Sequence, residues 1–222
     1  MRRLALLLAL VLLAPAPSSL RPAPATAGDF ERPSMTADYI PYRRERKRQM
    51  ARYSERHYGR REYLLTRTKV IVLHFTATST YQPVWNHFAS NSPSRGELPG
   101  VCTQFVIDKD GTIYKLVRTY IRCRHAIGLN HRSLGIEMVQ ETGEGSHWAA
   151  QQILNRRRQI RAALRLTRYL RQRFDIGMRD VIGHAMSNNS RYFRDLQGWR
   201  NDHTDWLWRD VKQFRRKLRA IS

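Results

Sequence analysis

Residues 70–74 read Val-Ile-Val-Leu-His, an apolar run that ends in a histidine. A short run rich in β-branched residues predicts a buried strand. Because loops begin where strands end, and a rigid sheet can aim a side chain into a cleft there, His74 is a candidate functional residue. Val181-Ile182-Gly183-His184 repeats the arrangement on a second predicted strand. The two histidines indicate a site built at one edge of a sheet.

The other periodic segments predict the architecture of the domain. Strands are expected at residues 101–107, 112–117 and 133–139, and helices at 148–174 and 206–221. Asp110-Gly111, between the first two of these strands, is a hairpin signal. Strands followed mainly by helices predict an α/β fold, with a mixed central β-sheet flanked by helices and the functional site at strand ends.

The N-terminal residues predict export. Met1-Arg2-Arg3 precedes an apolar run over 4–14, which is shorter than the ~20 residues that span a bilayer. A basic start, a short apolar run and Ala25-Thr26-Ala27 are typical of a secretory signal peptide cleaved near Ala27. An uncleaved membrane anchor is the alternative. The mature protein is therefore expected in the periplasm, the cell wall or the extracellular medium.

Export and composition together predict the organisation of the chain. We expect a signal peptide at 1–27, a basic Arg- and Tyr-rich extension at 28–66 and a compact domain at 67–222. Because exported proteins meet oxidants, Cys102 and Cys123 favour a disulfide, with two buried thiols as the alternative.

The charge of the chain implies an anionic partner. Lys and Arg number 40 against 18 Asp and Glu, and the formal net charge of +22 falls to +19 when Arg2, Arg3 and Arg21 leave with the signal. The extension at 28–66 is interpreted in two ways. It is either an arm that binds anionic envelope polymers or a solvated, partly helical extension that packs a few tyrosines on the domain, and the second interpretation is favoured.

A third group of polar residues completes a predicted metal site. His203 and Asp205 lie in a polar segment just before the last predicted helix. A catalytic zinc takes three protein ligands and leaves one position for water, and imidazole and carboxylate groups suit it. His74, His184 and a ligand from 201–205 therefore predict a Zn2+ site. Four other histidines are interpreted as surface or packing residues: His57, His87, His131 and His147.

Five segments resemble, in the same order, the zinc N-acetylmuramoyl-L-alanine amidases of the type-2 amidase and peptidoglycan-recognition superfamily. They lie within about residues 69–215 and are Val72–Thr78, Thr103–Tyr114, Arg124–Asn130, Ser133–Glu137 and Val181–His184. The resemblance implies an α/β amidase domain and hydrolysis of the amide between N-acetylmuramic acid and L-alanine. The implied substrate is peptidoglycan or its muropeptides.

The resemblance also implies roles for single residues. His74 and His184 would bind zinc, and Glu137 would activate the attacking water. Residues 203–206 read His-Thr-Asp-Trp and depart from the family's Lys-x-Asp-Pro-Gly. Asp202-His203-Thr204-Asp205 matches the Asp-His-x-Asp of a branch that uses the histidine, so His203 is preferred as the third ligand, with Asp205 as its partner or the alternative ligand. Because the family's lysine is missing, His203, Arg200 or zinc itself would stabilise the oxyanion.

Two other functions compete with hydrolysis. One is a peptidoglycan-binding module without activity, but His203 and Asp205 are both present, which favours an enzyme. The other is a secreted nucleic-acid-binding protein, which explains the arginines but neither the histidines nor Glu137. We therefore expect no specific nucleic-acid partner, and we expect a monomer.

Overall fold

The computed structural model describes residues 31–221, so the predicted signal peptide at 1–27 lies outside the described residues. The strands are β1 (Thr36–Ala37), β2 (Val70–Phe75), β3 (Phe105–Ile107), β4 (Ile113–Lys115), β5 (Ser133–Met138) and β6 (Val181–Gly183). The helices are α1 (Arg44–Tyr58), α2 (Tyr81–Ser90), α3 (Ser146–Asn155), α4 (Arg157–Phe174) and α5 (Trp208–Arg219). Short 3-10 helices at Met178–Asp180 and His184–Asn189 flank β6.

The six strands form one mixed sheet in the order β1-β4-β3-β5-β2-β6. β3 and β4 are antiparallel, as the Asp110-Gly111 hairpin signal predicts, and every other neighbouring pair is parallel. The α/β fold with a mixed sheet flanked by helices is therefore confirmed. The three strands that matter for the site, β5, β2 and β6, run parallel side by side.

Helices α3, α4 and α5 cover one face of the sheet. Ile71 and Leu73 of β2 pack into the same core as Ile136 of β5 and Leu166 of α4, and all four side chains are fully buried. The helix predicted over 148–174 is two helices, because the backbone of Arg156 leaves the helical region (ψ 95°). The Arg156 guanidinium donates to the side-chain oxygens of Gln140 and Gln159, which ties this break to the end of β5.

The opposite face of the sheet has two smaller cores. Val70 and Val72 pack with Leu129 and Ile182. Val106 packs in the second of these cores with residues of α2 and with the disulfide between Cys102 and Cys123, which the structure contains. Because side chains alternate along a strand, any residue in phase with Val70 and Val72 points to this second face.

Helix α1 lies within the extension at 28–66, for which the favoured interpretation was a partly helical segment that packs a few tyrosines on the domain. Met50, Tyr53 and Tyr58 are buried and form a cluster of their own. The ring of His57 lies between Asp195 (Nδ1 to Oδ2, 2.9 Å) and Glu97 (Nε2 to Oε2, 2.9 Å). Arg46 donates to the carbonyl of Phe88 at 2.7 Å. The buried face of α1 is built largely from polar and aromatic side chains, so the apolar pattern of the sequence did not indicate the extent of this packing.

Candidate metal centre

Three strand ends place polar side chains together on the face opposite α3, α4 and α5. His74 follows Val70 and Val72 in phase, and Glu137 is its partner in the parallel register of β2 with β5. His184 directly follows β6, whose Ile182 pairs with Val72. Because parallel strands end at the same edge of a sheet, the two histidines that the sequence singled out lie close to each other.

A tight contact brings Asp205 to the same edge. A Cβ built on Gly183 would lie 1.8 Å from the carbonyl oxygen of Trp206, so this approach requires glycine at the end of β6. Trp206 has a positive φ of 55°, which is strained for a bulky residue. Its ring is fully buried and its Nε1–H donates to the carbonyl of His74 at 3.2 Å. The amide of Ala185 donates to the carbonyl of Asp205 at 3.0 Å. Asp205 and Trp206 are therefore hydrogen-bonded both to the residue after His184 and to His74.

Nδ1 of His74, Nδ1 of His184 and the Asp205 carboxylate converge on one point. The two nitrogens are 3.1 Å apart, His74 Nδ1 lies 3.2 Å from Asp205 Oδ2, and His184 Nδ1 lies 3.0 Å from Asp205 Oδ1. Tetrahedral zinc ligands at 2.0–2.1 Å from the ion lie about 3.3 Å from one another. Within residues 31–221, these are the three side chains grouped closely enough to hold a metal ion, and their donor set fits zinc.

A chain of hydrogen bonds sets the tautomer of His74. Ser133 donates its hydroxyl proton to the carbonyl of Leu129 at 2.9 Å, so its oxygen accepts from Nε2–H of His125 at 3.1 Å. His125 Nδ1 then carries the lone pair and accepts from Nε2–H of His74 at 3.0 Å. Consequently Nδ1 of His74 is unprotonated and presents its lone pair to Asp205 and His184.

The electrostatics of the cluster favour its metal-binding protonation state. Burial, and then the neighbouring His184, lower the pKa of His74 to about 4, so this imidazole is neutral at neutral pH. Burial would raise the pKa of Asp205, but His184 and His74 outweigh it and hold that pKa well below the usual range. A neutral imidazole and a carboxylate are the forms that coordinate zinc.

Glu137 lies beside this cluster with an unsatisfied oxygen. Its Oε2 atom is buried and has no hydrogen-bond partner among the described residues. Burial, and then the charge of Asp205, raise the pKa of Glu137 well above its ordinary value. A buried carboxylate without a partner is costly, and it is ready to accept a proton from a group that enters the pocket.

His203 lies at the mouth of the site rather than among the three convergent side chains. Its side chain is exposed, and its ring stacks on that of His184 with centroids 4.4 Å apart and an interplanar angle of 14°. The sequence preferred His203 over Asp205 as the third ligand, whereas the geometry favours Asp205. Arg200 does not line the pocket, and its guanidinium lies 4.8 Å from the ring centroid of Phe193.

The cluster opens into a pocket of about 440 Å³. Glu137, His125 and His203 line it together with the three convergent side chains. Phe75, Val84 and Phe88 supply apolar wall, and several threonines supply hydroxyl groups: Thr76, Thr78, Thr103, Thr142 and Thr204. A partly apolar pocket with a few convergent polar groups is the usual form of a small-molecule site.

Two residues of the site carried no role in the sequence analysis. His125 was noted only within the segment Arg124–Asn130, yet it contacts His74 directly. His87, interpreted as a surface residue, is exposed on α2 and also lines the pocket. The glycine at position 135 is a sequence signal for the close approach of His125, because a Cβ there would lie 3.0 Å from the His125 ring.

Comparisons with known proteins bear on this site. A family model described as N-acetylmuramoyl-L-alanine amidase matches residues 65–205. Comparison with curated protein sequences gave no match. The fold is similar to that of the hydrolase AmiA of Staphylococcus aureus, solved in complex with its ligand, with a TM-score of 0.52 and 14% identity over 86% of this chain and 85% of that one.

Two further solved structures are similar over most of their length. The endolysin N-acetylmuramoyl-L-alanine amidase LysCS of Clostridium intestinale has a TM-score of 0.45 and 24% identity over 68% of this chain and 84% of that one. An AmpD derivative has a TM-score of 0.48 and 13% identity over 83% of this chain and 96% of that one.

Proposed function

We propose that this chain, which belongs to the N-acetylmuramoyl-L-alanine amidase family, is an exported zinc hydrolase of peptidoglycan. The bond that it cleaves is the amide between N-acetylmuramic acid and L-alanine. One observation carries the proposal: the convergence of His74, His184 and Asp205 beside the unpartnered carboxylate oxygen of Glu137 in one pocket.

His74, His184 and Asp205 would hold the metal. Zinc in such a site acidifies a coordinated water and polarises the carbonyl of the substrate amide. The assignment of Asp205 rests on its distances of 3.0 and 3.2 Å to the two imidazole nitrogens. His125 keeps the lone pair of His74 directed at the same point, which reduces the cost of assembling the ligands.

Glu137 would transfer the proton. Its carboxylate takes a proton from the attacking water as the water oxygen adds to the amide carbonyl carbon. It then gives that proton to the nitrogen of L-alanine as the carbon–nitrogen bond breaks. The raised pKa of Glu137 suits the second step, because a more weakly acidic carboxyl group keeps the proton until the nitrogen leaves.

His203 would stabilise the negative charge that develops on the carbonyl oxygen. It lines the pocket and its ring is fixed by stacking on His184, so an N–H group can face the reacting carbonyl. Arg200 is a weaker candidate for this role, because its guanidinium lies over Phe193 and outside the pocket.

Export rests on the sequence and on one feature of the structure. The N-terminal residues 1–27 have the pattern of a cleaved signal. The Cys102–Cys123 disulfide supports an oxidising compartment, where the substrate also lies. No helix within residues 31–221 is long and apolar enough to cross a membrane.

The decisive experiment is digestion of a purified disaccharide-peptide muropeptide by residues 28–222 with zinc. Mass spectrometry should show free peptide with an L-alanine amino terminus and free disaccharide. Glu137→Gln should keep its zinc and lose at least ~10²-fold in kcat/KM. Glu141→Gln, the same change at an exposed carboxylate outside the pocket, should leave activity unchanged.

A different result would select one of the competing functions. Zinc-loaded protein that binds the muropeptide without releasing peptide would identify a binding module and refute the hydrolase. Equal activity of Glu137→Gln and the wild type would remove Glu137 from the mechanism.

A further inference from the structure

A second cavity, which we call the arginine cleft, lies apart from the metal centre. It has a volume of about 380 Å³, and six arginines line it: Arg60, Arg67, Arg122, Arg132, Arg191 and Arg194. None of its lining residues also lines the pocket at the metal centre, and no carboxylate is among those that the structure describes. The sequence did not indicate the cleft, since the six arginines are spread over 135 positions.

Most of these cations are uncompensated. Among residues 31–221, no carboxylate lies within 4.0 Å of the guanidinium groups of Arg60, Arg67, Arg132 or Arg194, whereas Arg191 pairs with Asp180 at 2.8 Å. Like charges gathered without counter-charges repel one another, and the repulsion is relieved when an anion enters. Such a concentration of unpaired guanidinium groups is a ready receptor for a multiply charged anion.

Arg122 and His131 line the cleft, and each has a buried nitrogen without a partner. Arg122 is only 6% exposed, and its Nε–H has no hydrogen-bond partner among the described residues. Nδ1 of His131 is also buried without a partner. The Nη1 group of Arg122 is held by the carbonyl of Glu62 at 3.0 Å, which fixes the guanidinium in place. Because both nitrogens are closed to solvent, a ligand in the cleft meets the fixed positive charge of Arg122 rather than its Nε–H.

The surroundings of His131 show how positive the cleft is. Burial, and then the charges of Arg132, Arg122 and Arg194, lower its pKa to about 3. His131 is therefore neutral at neutral pH, and the positive charge of the cleft comes from its arginines.

We propose that the arginine cleft binds phosphate groups of a phosphodiester-linked polymer of the cell envelope. Phosphate suits the cleft better than a single carboxylate, because its oxygens can accept from several guanidinium groups at once. A phosphate that protrudes from a flexible chain can enter a concave cleft of this kind, whereas the flat surface of a bilayer contacts only its rim. The choice of an envelope polymer rests on the proposed function, which places the substrate in the same compartment.

The aromatic residues of the cleft argue against nucleic acid as the occupant. Single-stranded nucleic acids bind through bases stacked on aromatic rings. Tyr58, one of the aromatic residues that line the cleft, is buried and stacks on His131. Tyr192 and Phe193 also line it, but both pack against the core under β2 and β6. Arg191 and Arg200 lie over their rings, at 4.8 Å from the centroid in each case. These rings have little face left for a base.

The test is binding of a poly(glycerol phosphate) oligomer at physiological salt, measured by calorimetry. It uses the full mature chain in the Glu137→Gln background, so the result does not depend on catalysis. Arg67→Gln with Arg132→Gln should weaken binding by ~10-fold or more, because two charge-assisted contacts are lost. The matched control, Arg161→Gln with Arg165→Gln on the exposed face of α4, removes the same charge and should weaken binding less than ~3-fold.

Other probes separate the sources of phosphate. Inorganic phosphate should bind weakly and should raise the pKa of His131 in NMR titrations, since an anion offsets the nearby arginines. Equal weakening in both double variants would overturn the proposal in favour of diffuse charge. Tighter binding of a single-stranded DNA oligomer, or of anionic vesicles, through the same two arginines would also overturn it. In otherwise wild-type protein, the cleft variant should cleave a soluble muropeptide normally, which distinguishes this proposal from the proposed hydrolase.

Discussion

Nε2 of His74 lies 3.0 Å from Nδ1 of His125, and this hydrogen bond orients the imidazole that faces Asp205 and His184. His125 is itself oriented by Ser133, whose hydroxyl proton is committed to the carbonyl of Leu129. The candidate metal centre therefore includes a hydrogen-bonded chain behind His74 as well as the three convergent side chains.

Replacement of His125 should weaken zinc binding without removing a ligand. His125→Phe leaves Nε2–H of His74 without an acceptor, and we expect zinc affinity to fall ~10–100-fold in competition with a chelator. His125→Gln, which keeps an acceptor oxygen, should recover part of the affinity. His87→Phe, an exposed residue of the same pocket, is the control. Unchanged affinity in His125→Phe would show that the hydrogen bond is not needed.

The identity of the third ligand separates Asp205 from His203. Asp205→Ala should lose stoichiometric zinc, because it removes a carboxylate 3.0 Å from His184 Nδ1 and 3.2 Å from His74 Nδ1. His203→Ala should keep zinc and lose ~10²–10³-fold in kcat, as expected for an oxyanion donor. Metal analysis after dialysis distinguishes the two. Zinc loss in His203→Ala with retention in Asp205→Ala would restore His203 as the ligand.

The close approach of Gly183 to Trp206 predicts that alanine is not tolerated there. In Gly183→Ala the new Cβ would meet the Trp206 carbonyl oxygen at 1.8 Å, so the backbone of 205–206 must move away from β6. We expect a loss of stability of about 1–3 kcal/mol in urea unfolding together with weaker zinc binding. Gly177→Ala is the control, since its Cβ would meet only the Asp180 side chain, at 3.3 Å. Normal zinc binding in Gly183→Ala would show that the loop is positioned by other contacts.

The packing of α1 predicts that residues 44–58 are needed for stability. His57→Leu leaves the buried carboxylate of Asp195 without its imidazole partner, and we expect a loss of about 2–3 kcal/mol in the free energy of unfolding. The double variant His57→Leu with Asp195→Asn should recover part of this loss, because asparagine removes the buried charge and keeps an oxygen for the amides of Gln197 and Trp199. His87→Leu, on the exposed side of α2, should have little effect. If His57→Leu were as stable as wild type, the contacts of His57 would not contribute to the free energy of unfolding.

Local patterns in the sequence were sufficient for five of the six strands and for the positions of His74 and His184 at strand ends. The β-branched run at 70–73 predicts β2, and alternation along the strand places His74 with Glu137 on the face opposite α3, α4 and α5. The apolar residues before His184 do the same for β6. These predictions succeed because strand periodicity and strand ends depend on neighbouring residues.

Other features depend on residues distant in the chain. His203 and Asp205 are two positions apart, and the sequence alone favoured the first. The fold favours Asp205, because Trp206 is buried and hydrogen-bonded to the His74 carbonyl while Gly183 leaves room for the same segment. His125, the buried face of α1 and the arginine cleft likewise arise from contacts across dozens of residues. The sequence by itself determined which strands end in candidate ligands, and the packing of distant segments decided which neighbouring side chains complete the candidate site.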